Sequence, residues 1–288
     1  VDGDSPARAW PCWIDDQRIG EDEMAQGRPQ VTQDDREDPP AGTDGPRITT
    51  EVKPREDADT AAETVFRLDD VHVYYGSFLA LRGVNLDIDR GQVLGLAGES
   101  GCGKSTIGGA ILRLHAPQTK IEGSIVLDGN DVLAMRPGRL RAVRWTGASI
   151  IFQGALHALN PVRRIGDQVV EAITVHKLAG VREARVRTAE LLEEVGLPAR
   201  RVDDYPHELS GGQKQRVMIA MALACNPSLV IADEPTTALD VMVQAQVLQL
   251  LKALQRELGL AMLFITHDLS VLVEVADRIA IMYAGRIV

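Results

Sequence analysis

Apolar residues fall into two kinds of run along this chain. Short, unbroken stretches such as Val93-Leu94-Gly95-Leu96-Ala97, Ala148-Ser149-Ile150-Ile151-Phe152, Leu229-Val230-Ile231-Ala232, Ala261–Ile265 and Ile279–Tyr283 predict strands covered on both faces. Val71–Tyr75 and Leu79–Ile88 alternate instead, as half-buried strands do. Between them apolar positions recur at spacings of three and four, as in Val169, Val170, Ile173 and Leu191, Leu192, Val195. This pattern predicts helix over much of 164–205. Helices are also predicted over Lys104–Leu114, from Ser210 to about Cys225, and over Val241–Leu258. Strands alternating with helices give an α/β class with a largely parallel sheet. The helical block at 156–207 interrupts that alternation and is expected to stand as a side subdomain. No internal repeat is visible.

Residues 1–65 follow neither pattern. Asp, Glu, Pro, Gly, Thr and Arg succeed one another without an apolar period, as in Gln33-Asp34-Asp35-Arg36-Glu37-Asp38-Pro39-Pro40. Such a segment buries too little surface to offset its ordering entropy, so a disordered acidic extension is expected there, with the ordered domain over 66–288. Charge sharpens the division. The whole chain carries −10, yet residues 1–65 hold 17 Asp+Glu against 7 Lys+Arg, and the rest holds 24 of each. A folded part with no net charge argues against a broad nucleic-acid footprint. Cys12, Cys102 and Cys225 share no metal-ligand spacing, which suits a reducing compartment. The longest apolar run, Val217–Cys225, is about half of what a bilayer crossing needs, and no signal peptide is visible. The final residues Gly285-Arg286-Ile287-Val288 directly follow a predicted strand, so the C-terminus reads as truncated.

The chemistry lies at the ends of the apolar runs. Gly98-Glu99-Ser100-Gly101-Cys102-Gly103-Lys104-Ser105-Thr106 follows one predicted strand and opens a helix, and it fits the phosphate-loop pattern. Its glycines let successive backbone N–H groups face phosphate oxygens, and the helix start adds partial positive charge. Lys104 is expected on the β- and γ-phosphates and Ser105 on Mg²⁺. Asp233-Glu234 closes another strand. Asp233 is expected to hold the metal and Glu234 to act as general base toward the attacking water. Leu209-Ser210-Gly211-Gly212-Gln213 opens a helix with Ser210 as N-cap and two glycines that allow close approach of an anion. If this turn lies away from Lys104, it is free to clamp a partner's nucleotide. Gln153 ends a strand and could touch metal and water; His267 could reach the γ-phosphate. A solitary Gln or His at a strand end also suits a surface or structural role. Tyr75 could stack on adenine, with Tyr74 as the competing aromatic on the opposite strand face. The other histidines, His72, His115, His157, His176 and His207, form no metal set.

Taken together, these residues resemble the nucleotide-binding subunit of ATP-binding cassette (ABC) transporters, over about 66–288. In the family's terms, Gly98–Thr106 looks like Walker A and Gln153 like the Q-loop. Leu209–Gln213 looks like the signature motif and Leu229–Glu234 like Walker B. Ala238-Leu239-Asp240 resembles the D-loop, His267 the switch histidine and Tyr75 the A-loop aromatic. The resemblance implies a RecA-like P-loop NTPase core, an ABC-type antiparallel β-subdomain and an inserted helical subdomain. It implies ATP and Mg²⁺ as ligands. The nucleotide would contact Tyr75, Gly98, Ser100, Gly101, Gly103, Lys104, Ser105 and Thr106, and Ser210, Gly211, Gly212, Gln213 and Asp240 across a pair of subunits. Glu234, His267 and Gln153 would serve catalysis, with Ser105, Gln153 and Asp233 at the metal. Ala158-Leu159-Asn160-Pro161, Ile165-Gly166-Asp167-Gln168 and Glu234–Val241 are similar to the dipeptide/oligopeptide importer branch. Gly154-Ala155-Leu156-His157 departs from that branch's pattern. The implied partners are integral-membrane permeases, a second ATP-binding subunit (identical or not) and, indirectly, a solute-binding protein, with no nucleic acid. The implied location is peripheral, on the cytoplasmic face of the membrane. A soluble ABC-type ATPase of nucleic-acid repair or translation is the alternative. A P-loop kinase or GTPase gives no reason for Leu209–Gln213.

Overall fold

The computed structural model describes residues 63–154, 158–237 and 239–288. The acidic extension as far as 62, the departure at 155–157 and Ala238 lie outside the described residues. Two sheets form the frame. The first is antiparallel, in the order β2-β1-β4-β5, from β1 (Thr64–Tyr75), β2 (Phe78–Asp89), β4 (Lys120–Leu127) and β5 (Asn130–Asp131). The second has the order β10-β9-β3-β8-β7-β6. Its strands are β3 (Val93–Gly98), β6 (Ala148–Ile151), β7 (Leu229–Asp233), β8 (Ala261–Thr266), β9 (Arg278–Tyr283) and β10 (Arg286–Ile287). All neighbours in this second sheet are parallel except β9 and β10.

The unbroken apolar runs are explained by what covers the parallel sheet. Alternate residues of β3, β6, β7 and β8 face two separate cores, whereas β9, expected from Ile279–Tyr283 to be covered on both faces, buries only Met282 and leaves Ile279, Ile281 and Tyr283 exposed at the side of the sheet. Leu94, Leu96, Ile231, Leu263 and Ile265 join a cluster with the antiparallel sheet (Phe66, Leu68, Ile125) and with α1 (Lys104–Ile111) through Ile107 and Ile111. Val93, Ala97, Val230, Ala232, Met262 and Phe264 join a second cluster on the opposite face. The same cluster takes in residues of α3 (Ile165–Val175), α4 (Val181–Glu194), α5 (Gly211–Leu223), α6 (Val241–Leu258) and α7 (Leu269–Val275), with α3 and α4 packed on each other and on α5. Each fully buried Leu, Ile or Phe contributes roughly 1.5–3 kcal/mol, so both layers are large stabilising terms.

The region expected to be helical from 164 to 205 divides into α3, α4 and a 3₁₀ turn at Ala199–Asp203. Helix α4 ends where Gly196 takes a φ of +74°, a conformation that closes a helix readily in glycine. The phosphate-loop helix stops at Ile111, three residues short of the expected Leu114. There Arg113 takes a positive φ of 48° and the chain turns away. Elements without a clear apolar signal also form: β4, β5, β10, α7 and α2 (Pro137–Thr146), whose helical backbone is broken at Arg144 and Trp145. Among the described residues no helix is long and apolar enough to cross a membrane.

Candidate nucleotide site

Parallel register brings the chemistry together. Ala97 pairs with Thr266 and Asp233 with Ile265, while Ile151 pairs with Ala232. The C-terminal ends of β3, β6, β7 and β8 therefore share one edge, where open α/β sheets take their ligands. Gly98–Gly103, Gln153, Asp233-Glu234 and His267 all leave from that edge.

The loop after β3 is tightly built. A side chain at position 98 would place its Cβ 2.4 Å from the Met282 carbonyl oxygen and 2.7 Å from Cys102 Sγ, so only glycine fits. Lys104 is buried, and its ammonium donates to the carbonyls of Gly98 and Glu99 at 2.8 Å each. Those bonds hold the positive charge against the loop that would wrap the phosphates. Asp233 is buried, and its Oδ1 has no hydrogen-bond partner. Burial pushes its pKa up; the Ser105 hydroxyl, near enough to favour the ionised form, and the Lys104 charge oppose this, while Glu234 adds to it. An orphaned buried carboxylate oxygen beside a hydroxyl is a donor set suited to a hard divalent cation that keeps water or phosphate as further ligands.

Glu234 sits in a left-handed backbone conformation, φ 46°, which costs roughly 1–3 kcal/mol in a residue other than glycine and must be held in place. Its N–H donates to the Ile265 carbonyl at 2.9 Å. Its carboxylate accepts from Gln153 Nε2 at 2.9 Å and from the Thr237 hydroxyl at 3.0 Å, and His267 Nδ1 lies 3.0 Å from Oε1. Burial works to raise the Glu234 pKa, but His267, Thr237 and the Lys104 charge outweigh it and hold the carboxyl below its ordinary range. Thr237 and His115 were not singled out in the sequence. Thr237 was findable, one turn after Glu234, whereas His115 is tied to Tyr75 across forty residues with no local pattern. Tyr75 reaches the phosphate loop through that histidine: its hydroxyl is 3.1 Å from His115 Nδ1, and His115 Nε2 is 3.0 Å from the Thr106 carbonyl. Tyr74 points elsewhere, under the Lys120 ammonium.

The second glycine turn is built differently. Ser210 caps α5, with Gln213 N donating to Ser210 Oγ at 3.4 Å and Ser210 N donating to Gln213 Oε1 at 3.0 Å. The Asp240 carboxylate caps α6 by accepting from Val243 N at 3.0 Å. A Cβ at Gly212 would come 2.4 Å from Val243 Cγ1, so the two capped helix starts lie against each other. Among the described residues no hydrogen bond or ion pair joins Ser210–Gln213 or Asp240 to Gly98–Thr106, Asp233 or Glu234.

The family described as ABC transporter matches residues 81–237. The chain belongs to this family. It is 47% identical over 219 residues to the oligopeptide transport ATP-binding protein OppD of Bacillus subtilis, covering 75% of this chain and 61% of that protein. To the dipeptide transport ATP-binding protein DppD of the same organism it is 43% identical over 232 residues, covering 78% and 69%. The chain thus spans about six tenths of the length of the first of these relatives. Among solved structures, the ATP-binding cassette MJ0796, a dimer in a post-hydrolysis state bound to ADP and Pi, matches with a TM-score of 0.67 and 33% identity over 77% of this chain and 96% of that one. CbiO1 of Clostridium perfringens, part of the cbiONQ complex, matches with a TM-score of 0.67 and 30% identity over 78% and 87%. These likenesses bear out the P-loop ABC fold expected from the sequence.

Proposed function

We propose that this chain is the ATP-binding and ATP-hydrolysing subunit of an ABC importer for dipeptides or oligopeptides. The observation that carries the reading is the pair of buried Asp233 and half-buried Glu234 at the edge that also holds the glycine loop, with an orphaned oxygen on Asp233 and three side chains on Glu234. The peptide-transport names of relatives at 43–47% identity support the substrate class over a nucleic-acid role.

In this reading the backbone of Gly98–Thr106 and the Lys104 ammonium bind the phosphates of ATP. Asp233 and the Ser105 hydroxyl hold Mg²⁺, which when bound neutralises charge on the phosphate oxygens. Glu234, kept ionised by His267, Thr237 and Lys104, accepts the proton of the attacking water. Gln153 and His267 keep that carboxylate aimed and would serve the catalytic step beside it. Tyr75 carries the adenine. Ser210–Gln213 and Asp240, which share no bond with this site, serve the nucleotide of a second cassette, so that two subunits close over two ATP molecules. Permeases in the cytoplasmic membrane receive that closure at the peripheral face, and a solute-binding protein delivers the peptide. The cassette begins with β1 at Thr64, two residues ahead of the boundary expected from the sequence, and 156–207 is its helical subdomain.

The test is Glu234→Gln in the complete transporter. ATP hydrolysis is expected to fall by about 10²–10⁴-fold, the share of a general base, while ATP binding is retained and the two cassettes stay together on ATP. Hydrolysis at the normal rate would remove Glu234 as the base. Unchanged peptide uptake in a strain lacking this gene would remove the substrate assignment.

A further inference from the structure

His115 lies just beyond the phosphate-loop helix, outside every motif of the site, yet both its ring nitrogens are engaged. Its ring stands against Gly109 of α1, where a Cβ would come 2.5 Å from His115 Cε1. The bare helix face therefore serves as the seat of the imidazole. From that seat Nε2 meets the Thr106 carbonyl at 3.0 Å and Nδ1 meets the Tyr75 hydroxyl at 3.1 Å. The two rings cross at 89° with centroids 5.5 Å apart. A carbonyl can only accept, so Nε2 carries the proton and Nδ1 accepts from the tyrosine O–H. Burial lowers the His115 pKa against the pull of the Thr106 carbonyl, which suits this neutral tautomer. Tyr75 is otherwise 40% exposed, next to the hairpin turn at Gly76-Ser77. Without the histidine nothing else described bonds its hydroxyl.

We propose that His115 is a positioning residue for the nucleobase: it ties the Tyr75 ring to the first turn of the phosphate-loop helix, so that the base platform and the phosphate cradle form one rigid unit. The inference rests on the nucleotide site proposed above and concerns only the base end of it. It assigns a role to a residue forty positions from its tyrosine.

The experiment compares binding of ATP with binding of inorganic tripolyphosphate, both with Mg²⁺, by calorimetry on the whole protein. Tripolyphosphate occupies the glycine loop but has no base. In His115→Ala, ATP affinity is expected to drop about five- to tenfold, part of the stacking contribution of one base, with tripolyphosphate affinity unchanged. His115→Gln, whose amide again offers one donor and one acceptor, is expected to recover most of the loss. Tyr75→Phe, which keeps the ring and removes the hydroxyl, should match His115→Ala, and the double variant should be no worse than either. Equal losses for both ligands in His115→Ala, or no loss for ATP, would overturn the positioning role. So would full additivity of the two substitutions. If the unchanged protein binds neither ligand, the nucleotide site itself is wrong; if it binds both and the ratio does not move in His115→Ala, only this inference falls.

Discussion

The two glycine turns of this molecule solve opposite problems. Around Gly98–Thr106 the structure crowds inward: Gly98 has no room for a Cβ, Lys104 is buried on loop carbonyls, and Asp233 carries a carboxylate oxygen with nothing to bond. Around Ser210–Gln213 the side chains are satisfied by the turn itself. Ser210 and Gln213 satisfy each other, Asp240 satisfies the neighbouring helix, and Gly212 is required only because Val243 is close. The first turn is strained toward a ligand; the second is a finished surface. The Gly211 and Gly212 N–H groups, at the start of the helix, have no intrahelical acceptor, so they are left to serve something outside the subunit, as the proposed pairing of two cassettes requires.

That contrast can be broken at several points. The largest effect is expected at the inward turn. Lys104→Ala removes a charge-assisted contact and should weaken ATP binding by about 10–100-fold in equilibrium binding to the isolated chain. If binding is unchanged, the loop is not the phosphate site. At the outward turn, Gly212→Ala should leave that single-chain ATP binding intact. It is expected to lower folding stability by about 1–3 kcal/mol through overpacking on Val243, measured by denaturant unfolding. Adding Val243→Ala should restore part of the stability, and failure to do so would mean the close approach is relieved elsewhere. The smallest effect concerns Asp233. Its raised pKa means that the folded state binds a proton more readily than the unfolded chain. Stability of the nucleotide-free protein should therefore fall as pH rises from the ordinary carboxylate range, 3.8, through the raised folded value. Asp233→Asn should remove that slope and stabilise the nucleotide-free protein at pH 7 by of order 1 kcal/mol, while Mg²⁺-dependent tightening of ATP binding disappears. A variant less stable than the parent at pH 7 would show that the carboxylate is paired in solution.

Most of the frame could be read from the chain, because its signals are local. Unbroken apolar runs ending in Gly98 or Asp233-Glu234 mark strands covered on both faces, and α6 begins and ends at Asp240 and Gly259, strong helix boundaries. Strand β4 was not legible. Its first half is largely exposed, Gly123 interrupts it, and its register shifts against β1 between Asp69 and His72, so no period of two survives. Helix α7 is too short for periodicity to register. At the site, the backbone loop and the strand-end acids carry their own spacing, but the bonds that aim them do not. Thr237, Gln153 and His267 converge on one carboxylate from three different segments, and His115 reaches Tyr75 from the far end of a helix.

The parallel sheet lies between two hydrophobic layers that share its strands and little else. The helix that begins with Lys104 is rooted in one layer, while α3 and α4 belong wholly to the other. A substitution among those outer helices therefore falls in a core that Ile107 and Ile111, under the phosphate loop, do not share.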